Sequence, residues 1–210
     1  MPLKGAAYIE QIYPDEGLRP LKDIDLLIPE ARFLDAIQTM LDEGLVFQKS
    51  AVVPLLENIQ HSRPAEWPAS ITLLDPVTRL HLTMRRQLLS SDWFYRGFAL
   101  DPAQVWVRKV ANPRHDSLWP YFLSPYDTLA HLCIYQANHS LRMMVAYVDT
   151  DTWIRKRSIS WDWGEFVRTV NQWQIRSAAY HTLTYCQALM ETLWVPAGAQ
   201  RQKRQPFSPK

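Results

Sequence analysis

The stretch that decides the fold is Lys22-Asp-Ile-Asp-Leu-Leu-Ile28, in which two aspartates are separated by one apolar residue. The segment is too short and too rich in β-formers for a helix, so we expect a strand over Asp23 to Ile28. Successive side chains of a strand point to opposite faces, which places Asp23 and Asp25 on the same face. The sequence therefore predicts two carboxylates directed at one point.

Helices are expected on both sides of this strand. Apolar residues recur at helical spacing from Gly5 to Tyr13, and Pro14 ends that pattern. After the strand, Pro29 suits a first helical position and opens an amphipathic stretch over Glu30 to Glu43, which Gly44 ends. The sequence thus predicts a helix, a loop, a strand and a second helix.

A hairpin and a helical second half complete the expected architecture. Two β-compatible runs, Ile71 to Leu74 and Arg79 to Met84, flank the turn-forming residues Asp75-Pro-Val-Thr78. Later helices are expected over Pro102 to Val110, Pro125 to Leu141, Met143 to Lys156, and Trp163 to Leu193 with a break near Trp173. The predicted class is α+β, with a small mixed sheet and flanking helices in residues 1–100, a helical region in 101–194 and a disordered basic tail in 195–210.

Composition excludes several classes of protein. Of the 210 residues, 47% are apolar and 12% aromatic, which is enough to bury a core and argues against disorder. The longest apolar stretches are far shorter than the ~20 residues that cross a bilayer, so no membrane partner is expected. The net charge of +2 becomes negative once the four basic residues of the last ten are set aside, and no DNA-binding motif is present.

The two cysteines and the N-terminal residues are used to predict the cellular compartment of the protein. Cys133 and Cys186 lie far apart without metal-type spacing, so we expect buried, inert thiols in a reducing cytosol. No secretory segment is visible at the start, and the expected location is cytoplasmic.

The two aspartates are the best candidates for a catalytic, metal-binding site. Neighbouring carboxylates repel each other unless a cation compensates, and Mg²⁺ (or Mn²⁺) is the usual choice where phosphates share its coordination shell. Lys4 and Gly5 open a helix where backbone N–H groups can receive a phosphate, and Arg19 can add a guanidinium. The alternative is that the aspartates merely cap or solvate a structural element, as most short acidic motifs do.

The spacing of these residues resembles a known family. Leu3-Lys-Gly-Ala-Ala-Tyr8, Tyr13-Pro14 and Leu18-Arg-Pro-Leu-Lys-Asp-Ile-Asp-Leu-Leu-Ile28 resemble the core of the uncharacterised nucleotidyltransferase family (the NTP-transferase-5 type) of the polymerase-β-like nucleotidyltransferase superfamily. The likeness continues through Leu80-His-Leu82, Leu123-Ser-Pro-Tyr-Asp127, the helix from His131 to His139, Tyr147-Val-Asp149 and Ile159-Ser-Trp-Asp162. It covers roughly the whole chain except the tail.

The resemblance implies that Gly5 holds the phosphates of a nucleoside triphosphate (NTP) and that Asp23 and Asp25 hold the metals. It also implies transfer of a nucleoside monophosphate to the hydroxyl of an acceptor, which is a small molecule, a protein or RNA. Pyrophosphate is expelled in such a transfer. Further substrate contacts are expected from Lys4, Arg19 and His81. The alternative for His81 is a structural role, as a hydrogen-bonded histidine under the sheet.

Two departures from the family pattern leave alternatives open. Arg79 stands where the family has a third carboxylate, and strand alternation places Arg79, His81 and Thr83 on one face, so we expect Arg79 to face the aspartates. Either Arg79 binds a phosphate while Asp75 or another carboxylate acts as base, or the protein is a degenerate, nucleotide- or partner-binding regulator. Relatives also carry a helix and a full strand before Lys4, so either the start is misassigned or the chain is truncated and its sheet lacks a strand.

Two other groups of polar residues are given structural roles. His131 and His139 are eight residues apart and cannot form a zinc pair, so they suit packing or an acceptor pocket. Asp149 is expected to complement a helix end.

Overall fold

A computed structural model of the chain describes residues 1–48, 67–88, 101–157 and 161–190. These residues form an α+β fold, as the sequence predicts. The expected tail over 195–210 and the last residues of the expected final helix lie outside the described residues. The division into a core of residues 1–100 and a helical region stays a prediction.

The main sheet is mixed and has five strands. They are β1 (Pro2–Leu3), β2 (Asp23–Leu27), β3 (Val46–Phe47), β4 (Ser70–Leu74) and β5 (His81–Arg85), in the order β1-β2-β5-β4-β3. Strands β2 and β5 are parallel, and the other neighbours are antiparallel. Asp23 lies opposite His81 and Asp25 opposite Thr83. The predicted aspartate strand and the predicted hairpin are therefore confirmed, and both are in one sheet.

Seven α-helices lie within the described part of the chain. They are α1 (Lys4–Ile12), α2 (Phe33–Asp42), α3 (Pro102–Val107), α4 (Pro125–Asn138), α5 (Met144–Arg157), α6 (Trp163–Gln172) and α7 (Arg176–Met190). The helix expected from Glu30 begins as a 3-10 turn, Glu30–Arg32, and continues as α2. Gly44, with φ of 91°, follows α2 in the left-handed region that glycine favours. The expected break near Trp173 separates α6 from α7.

The starts of three helices are fixed by capping side chains. Asp101 accepts a hydrogen bond from the N–H of Ala103, Ser124 from that of Asp127, and Asp162 from that of Gly164. Each cap satisfies an N–H group that has no partner inside the helix. A short second sheet between α3 and α4 pairs β6 (Val110–Ala111) with β7 (Tyr121–Phe122).

Each face of the main sheet has its own apolar cluster. On the α2 side, Phe33 and Ile37 pack with Ile71, Leu73 and Met84. A larger cluster joins α1 and the end of β2 to the helices of the second half; its members include Leu3, Tyr8, Leu27, Leu129, Leu132, Trp153, Phe166 and Trp173. Among the described residues, no helix combines the length and apolar character needed to cross a bilayer.

Candidate functional site

The site is built on one face of strands β2 and β5. Alternation along β2 and the parallel register with β5 bring Asp23, Asp25, His81, Thr83 and Arg85 to this face, which we call the polar face. Beside it on β4, the Thr72 hydroxyl lies 3.0 Å from the Thr83 hydroxyl. Ionisable and hydroxyl side chains therefore lie side by side on one face of three neighbouring strands, β2, β5 and β4.

Asp25 lies at the centre of the polar face and is held by two cations. Its side chain is only 1% exposed. Lys4 Nζ donates to Asp25 Oδ2 at 2.8 Å, and Arg85 Nε donates to Asp25 Oδ1. Each carboxylate oxygen thus has its own positive partner, one from the start of α1 and one from β5.

The two cations also determine the ionisation of Asp25. Burial by itself raises the pKa of this carboxyl, because it penalises the charged form. Arg85 and Lys4 outweigh that effect through charge and hydrogen bonds, and they hold the pKa below its usual value. Asp25 is therefore an anion at any pH near neutrality.

Asp23 and His81 lie opposite each other at the outer end of the polar face. Asp23 is exposed and His81 is half-buried. The sequence-based placement of both aspartates on one face is correct, but their surroundings differ. Among the described residues, there is no group of three histidines, cysteines or carboxylates close enough to form a metal site.

A row of side chains on α4 borders the site. Tyr135 and His139 have ring centroids 4.6 Å apart, and Lys4 Nζ lies 5.3 Å from the Tyr135 ring centroid. One turn earlier on α4, the buried His131 leaves its Nδ1 atom without a hydrogen-bond partner. Burial, reinforced by the charges of Lys4 and Arg85, lowers the pKa of His131 to about 3. His131 is thus a neutral imidazole at the border of the site.

Gly5 is buried under a side chain of the protein itself. A β-carbon at this position would lie 2.5 Å from Arg19 Nη1 and 2.8 Å from Leu21 Cδ1. The Arg19 guanidinium is fixed there by Asp149, with Nη2 2.9 Å and Nε 3.3 Å from Oδ2 and Nε 3.1 Å from Oδ1. Tyr13 also donates a 2.7 Å hydrogen bond to Asp149.

This second ion pair corrects the expectation for Asp149. It does not complement a helix end, because it lies within α5 and is fully buried against Arg19. Arg19, predicted as a phosphate ligand, links the loop before β2 to α5. The sequence contains no local signal for this contact, since the two residues are 130 positions apart.

The expected orientation of Arg79 is wrong. Strand β5 begins at His81, and Arg79 is an exposed residue of the preceding turn with a left-handed φ of 61°. Its N–H donates to the Asp75 carbonyl at 2.9 Å. Strand alternation therefore does not extend back to Arg79, and the cation that meets Asp25 from this hairpin is Arg85.

Arg85 is the site residue that sequence reasoning missed. It follows Thr83 by two positions, so the alternation that places His81 and Thr83 on the polar face also places Arg85 there. The sequence carried that signal, but only the register of β5 against β2 shows that its guanidinium reaches Asp25.

Comparison with known proteins gives one family match. The model of the uncharacterised nucleotidyltransferase family matches residues 1–191, a span that includes α1, both site strands and α4. No curated protein matches the chain. Because the match covers nearly the whole sequence, the chain belongs to the uncharacterised nucleotidyltransferase family.

Proposed function

We propose that the protein transfers a nucleoside monophosphate from an NTP to the hydroxyl of an acceptor, with Asp23 and Asp25 as ligands of Mg²⁺ or Mn²⁺. The observation that carries this proposal is the convergence of Asp25, Lys4 and Arg85 on the polar face. Such a cluster supplies an anion for a metal and cations for phosphates at one point. Membership of the family supplies the reaction class.

The donor set suits a hard divalent cation. Carboxylate oxygens are the ligands that Mg²⁺ prefers, and Asp23 adds an exposed carboxylate next to Asp25 on the same face. Lys4 and Arg85 together bring two positive charges to Asp25, as many as one Mg²⁺ ion carries. When bound, the metal supplies positive charge to the phosphates and to the leaving pyrophosphate.

The side chains of the chain position the reactants. Lys4 and Arg85 are the cations nearest to the metal ligand, and they bind the phosphates; His81, opposite Asp23, contacts the acceptor or the nucleotide. In the transfer, the acceptor oxygen bonds to the α-phosphorus and the bond from that phosphorus to its bridging oxygen breaks. Pyrophosphate leaves, and the hydroxyl proton passes to a base or to water. The acceptor class is a small molecule, a protein or RNA.

A second function is favoured by one feature of β5. The strand reads His-Leu-Thr-Met-Arg and offers no carboxylate to the polar face, whereas the superfamily pattern includes a third one. A protein with this substitution can bind a nucleotide or a partner and regulate it without transferring anything. Arg79, exposed on the turn before β5, is in that case a contact for the bound anion.

The experiment that separates the two functions follows a label from the α-phosphorus. The protein is incubated with each α-labelled NTP, Mg²⁺ and fractions of cell extract as acceptors, and pyrophosphate release is measured in parallel. Transfer of the label in wild type, lost in Asp23→Asn and Asp25→Asn but kept in Asp42→Asn, supports the enzyme. Asp42 is an exposed residue of α2 and serves as the matched control. Nucleotide binding without transfer supports the regulator.

A further inference from the structure

The side chains of Lys4 and Arg85 lie between the buried carboxylate of Asp25 and solvent. Asp25 is 1% exposed, while the side chains of Lys4 and Arg85 keep 20% and 16% of their surface exposed. The cations are thus the part of this cluster that solvent and ligands reach. Anything that binds Asp25 has to displace at least one of them.

The two cations belong to separate elements, neither of which is the strand that carries Asp25. Lys4 is the first residue of α1 and has a left-handed φ of 49°, an unfavourable conformation for a lysine. Such strain persists only where surrounding contacts hold it, and the 2.8 Å bond to Asp25 is one such contact. Arg85 reaches Asp25 from the last position of β5.

The charges oppose the binding of either ligand alone. A divalent cation that approaches Asp25 meets two resident positive charges, which repel it. A triphosphate that recruits Lys4 and Arg85 leaves a buried carboxylate without a partner, which is strongly unfavourable. When both ligands arrive together, the metal neutralises Asp25 and the phosphates neutralise Lys4 and Arg85, so each removes the obstacle to the other.

We propose that Lys4 and Arg85 are exchangeable counterions of Asp25, which neutralise it in the free protein and turn to the phosphates when a metal–nucleotide complex binds. This inference rests on the proposed nucleotide site. Its consequence is that the metal alone leaves the ion pairs intact and that the nucleotide alone does not break them.

A direct test observes the Arg85 side chain. In protein labelled with ¹⁵N-arginine, the Nε–H resonance of Arg85 is assigned by its loss in Arg85→Lys. Mg²⁺ alone and α,β-methylene-ATP in EDTA are expected to leave this resonance in place, and the two together are expected to shift it. The same samples are titrated by calorimetry, and the other three α,β-methylene nucleotides are used if the adenine form does not bind.

A variant gives an independent measurement. Lys4→Met removes one resident cation, so Mn²⁺ alone, followed by electron paramagnetic resonance, is expected to bind at least tenfold more tightly. The affinity for the metal–nucleotide complex is expected to fall by about tenfold, because one phosphate contact is lost. Lys109→Met is the matched control with no change expected, since Lys109 contacts the Tyr121 ring instead.

The outcomes separate this inference from the function on which it rests. Binding of the metal–nucleotide complex with an unchanged Arg85 resonance overturns the exchange and leaves the proposed function intact. A shift produced by Mg²⁺ alone, or Mn²⁺ affinity unaffected by Lys4→Met, also overturns it. Failure of every nucleotide to bind in the presence of Mg²⁺ overturns the proposed function and the exchange with it.

Discussion

At the scale of single residues, Gly5 is explained by packing. The Arg19 guanidinium occupies the space that a β-carbon would need and cannot retreat while Asp149 holds it. Gly5→Ala is therefore expected to destabilise the protein by about 1–3 kcal/mol, the usual cost of overpacking. In a background in which Arg19→Ala and Asp149→Ala remove both charges, the cost is expected to fall by about 1 kcal/mol or more. Urea unfolding of the four proteins measures this coupling, and equal costs in both backgrounds would show that the guanidinium is not the obstacle.

His131 makes stability depend on pH. Its pKa is about 3 in the folded protein because burial and the charges of Lys4 and Arg85 disfavour the imidazolium, whereas the unfolded chain has a pKa near 6.5. Between these values the unfolded state binds the extra proton. Stability from this residue is thus complete above about pH 6.5 and is lost at up to about 1.4 kcal/mol per pH unit as the pH falls.

His131→Gln is expected to flatten the stability profile between pH 6.5 and 4, as measured by urea midpoints across this range. The exposed His181 provides a control, because His181→Gln keeps the wild-type slope. A wild-type slope in His131→Gln would contradict the assignment.

At the scale of elements, the end of α6 is capped without glycine. Gln174 has a left-handed φ of 58°, its N–H donates to the Asn171 carbonyl, and the Ile175 N–H donates to the Val170 carbonyl. This is the hydrogen-bond pattern of a Schellman cap, in which glycine is preferred. Gln174→Gly is therefore expected to stabilise the protein by about 0.5–1 kcal/mol in urea unfolding. Gln172→Gly, at the last residue of α6, is the control and is expected to destabilise the protein.

The sequence predicts elements well where the signal is local. The alternation around Asp23 and Asp25, the stop at Gly44 and the helix starts at Pro102 and Pro125 depend only on neighbouring residues, and the structure agrees with each of them. What the sequence does not contain is the identity of partners across elements.

The ion pairs of the site are the clearest example of that limit. Arg85 lies 60 positions from Asp25, and Arg19 lies 130 from Asp149. No spacing rule connects such residues, because tertiary packing alone brings them together. The same limit explains the wrong prediction for Arg79. This residue has a left-handed φ in the turn before β5, so the alternation of side chains along β5 does not extend back to it.

At the scale of the whole molecule, the site depends on a core shared by both halves of the chain. Leu3, Tyr8 and Leu27, which surround the start of α1 and the end of β2, belong to the same buried cluster as Leu129 and Trp153. The positions of Lys4 and Asp25 are consequently fixed by apolar contacts with helices more than 100 residues further along the chain. The α2 side of the sheet has a separate cluster, which includes Met84 of β5.

This shared core predicts a single unfolding transition for the full chain. Tryptophan fluorescence and far-UV circular dichroism are expected to give the same urea midpoint. Leu129→Ala is expected to lower the free energy of unfolding by the roughly 2–5 kcal/mol typical of a buried leucine, and to shift the midpoint of both signals together. A fragment of residues 1–100 lacks the partners of Leu3, Tyr8 and Leu27, so it is expected to show no cooperative transition. If the fragment unfolds cooperatively, or if Leu129→Ala shifts only one of the two signals, the strands of the site form an independent folding unit, and the helices merely cover them.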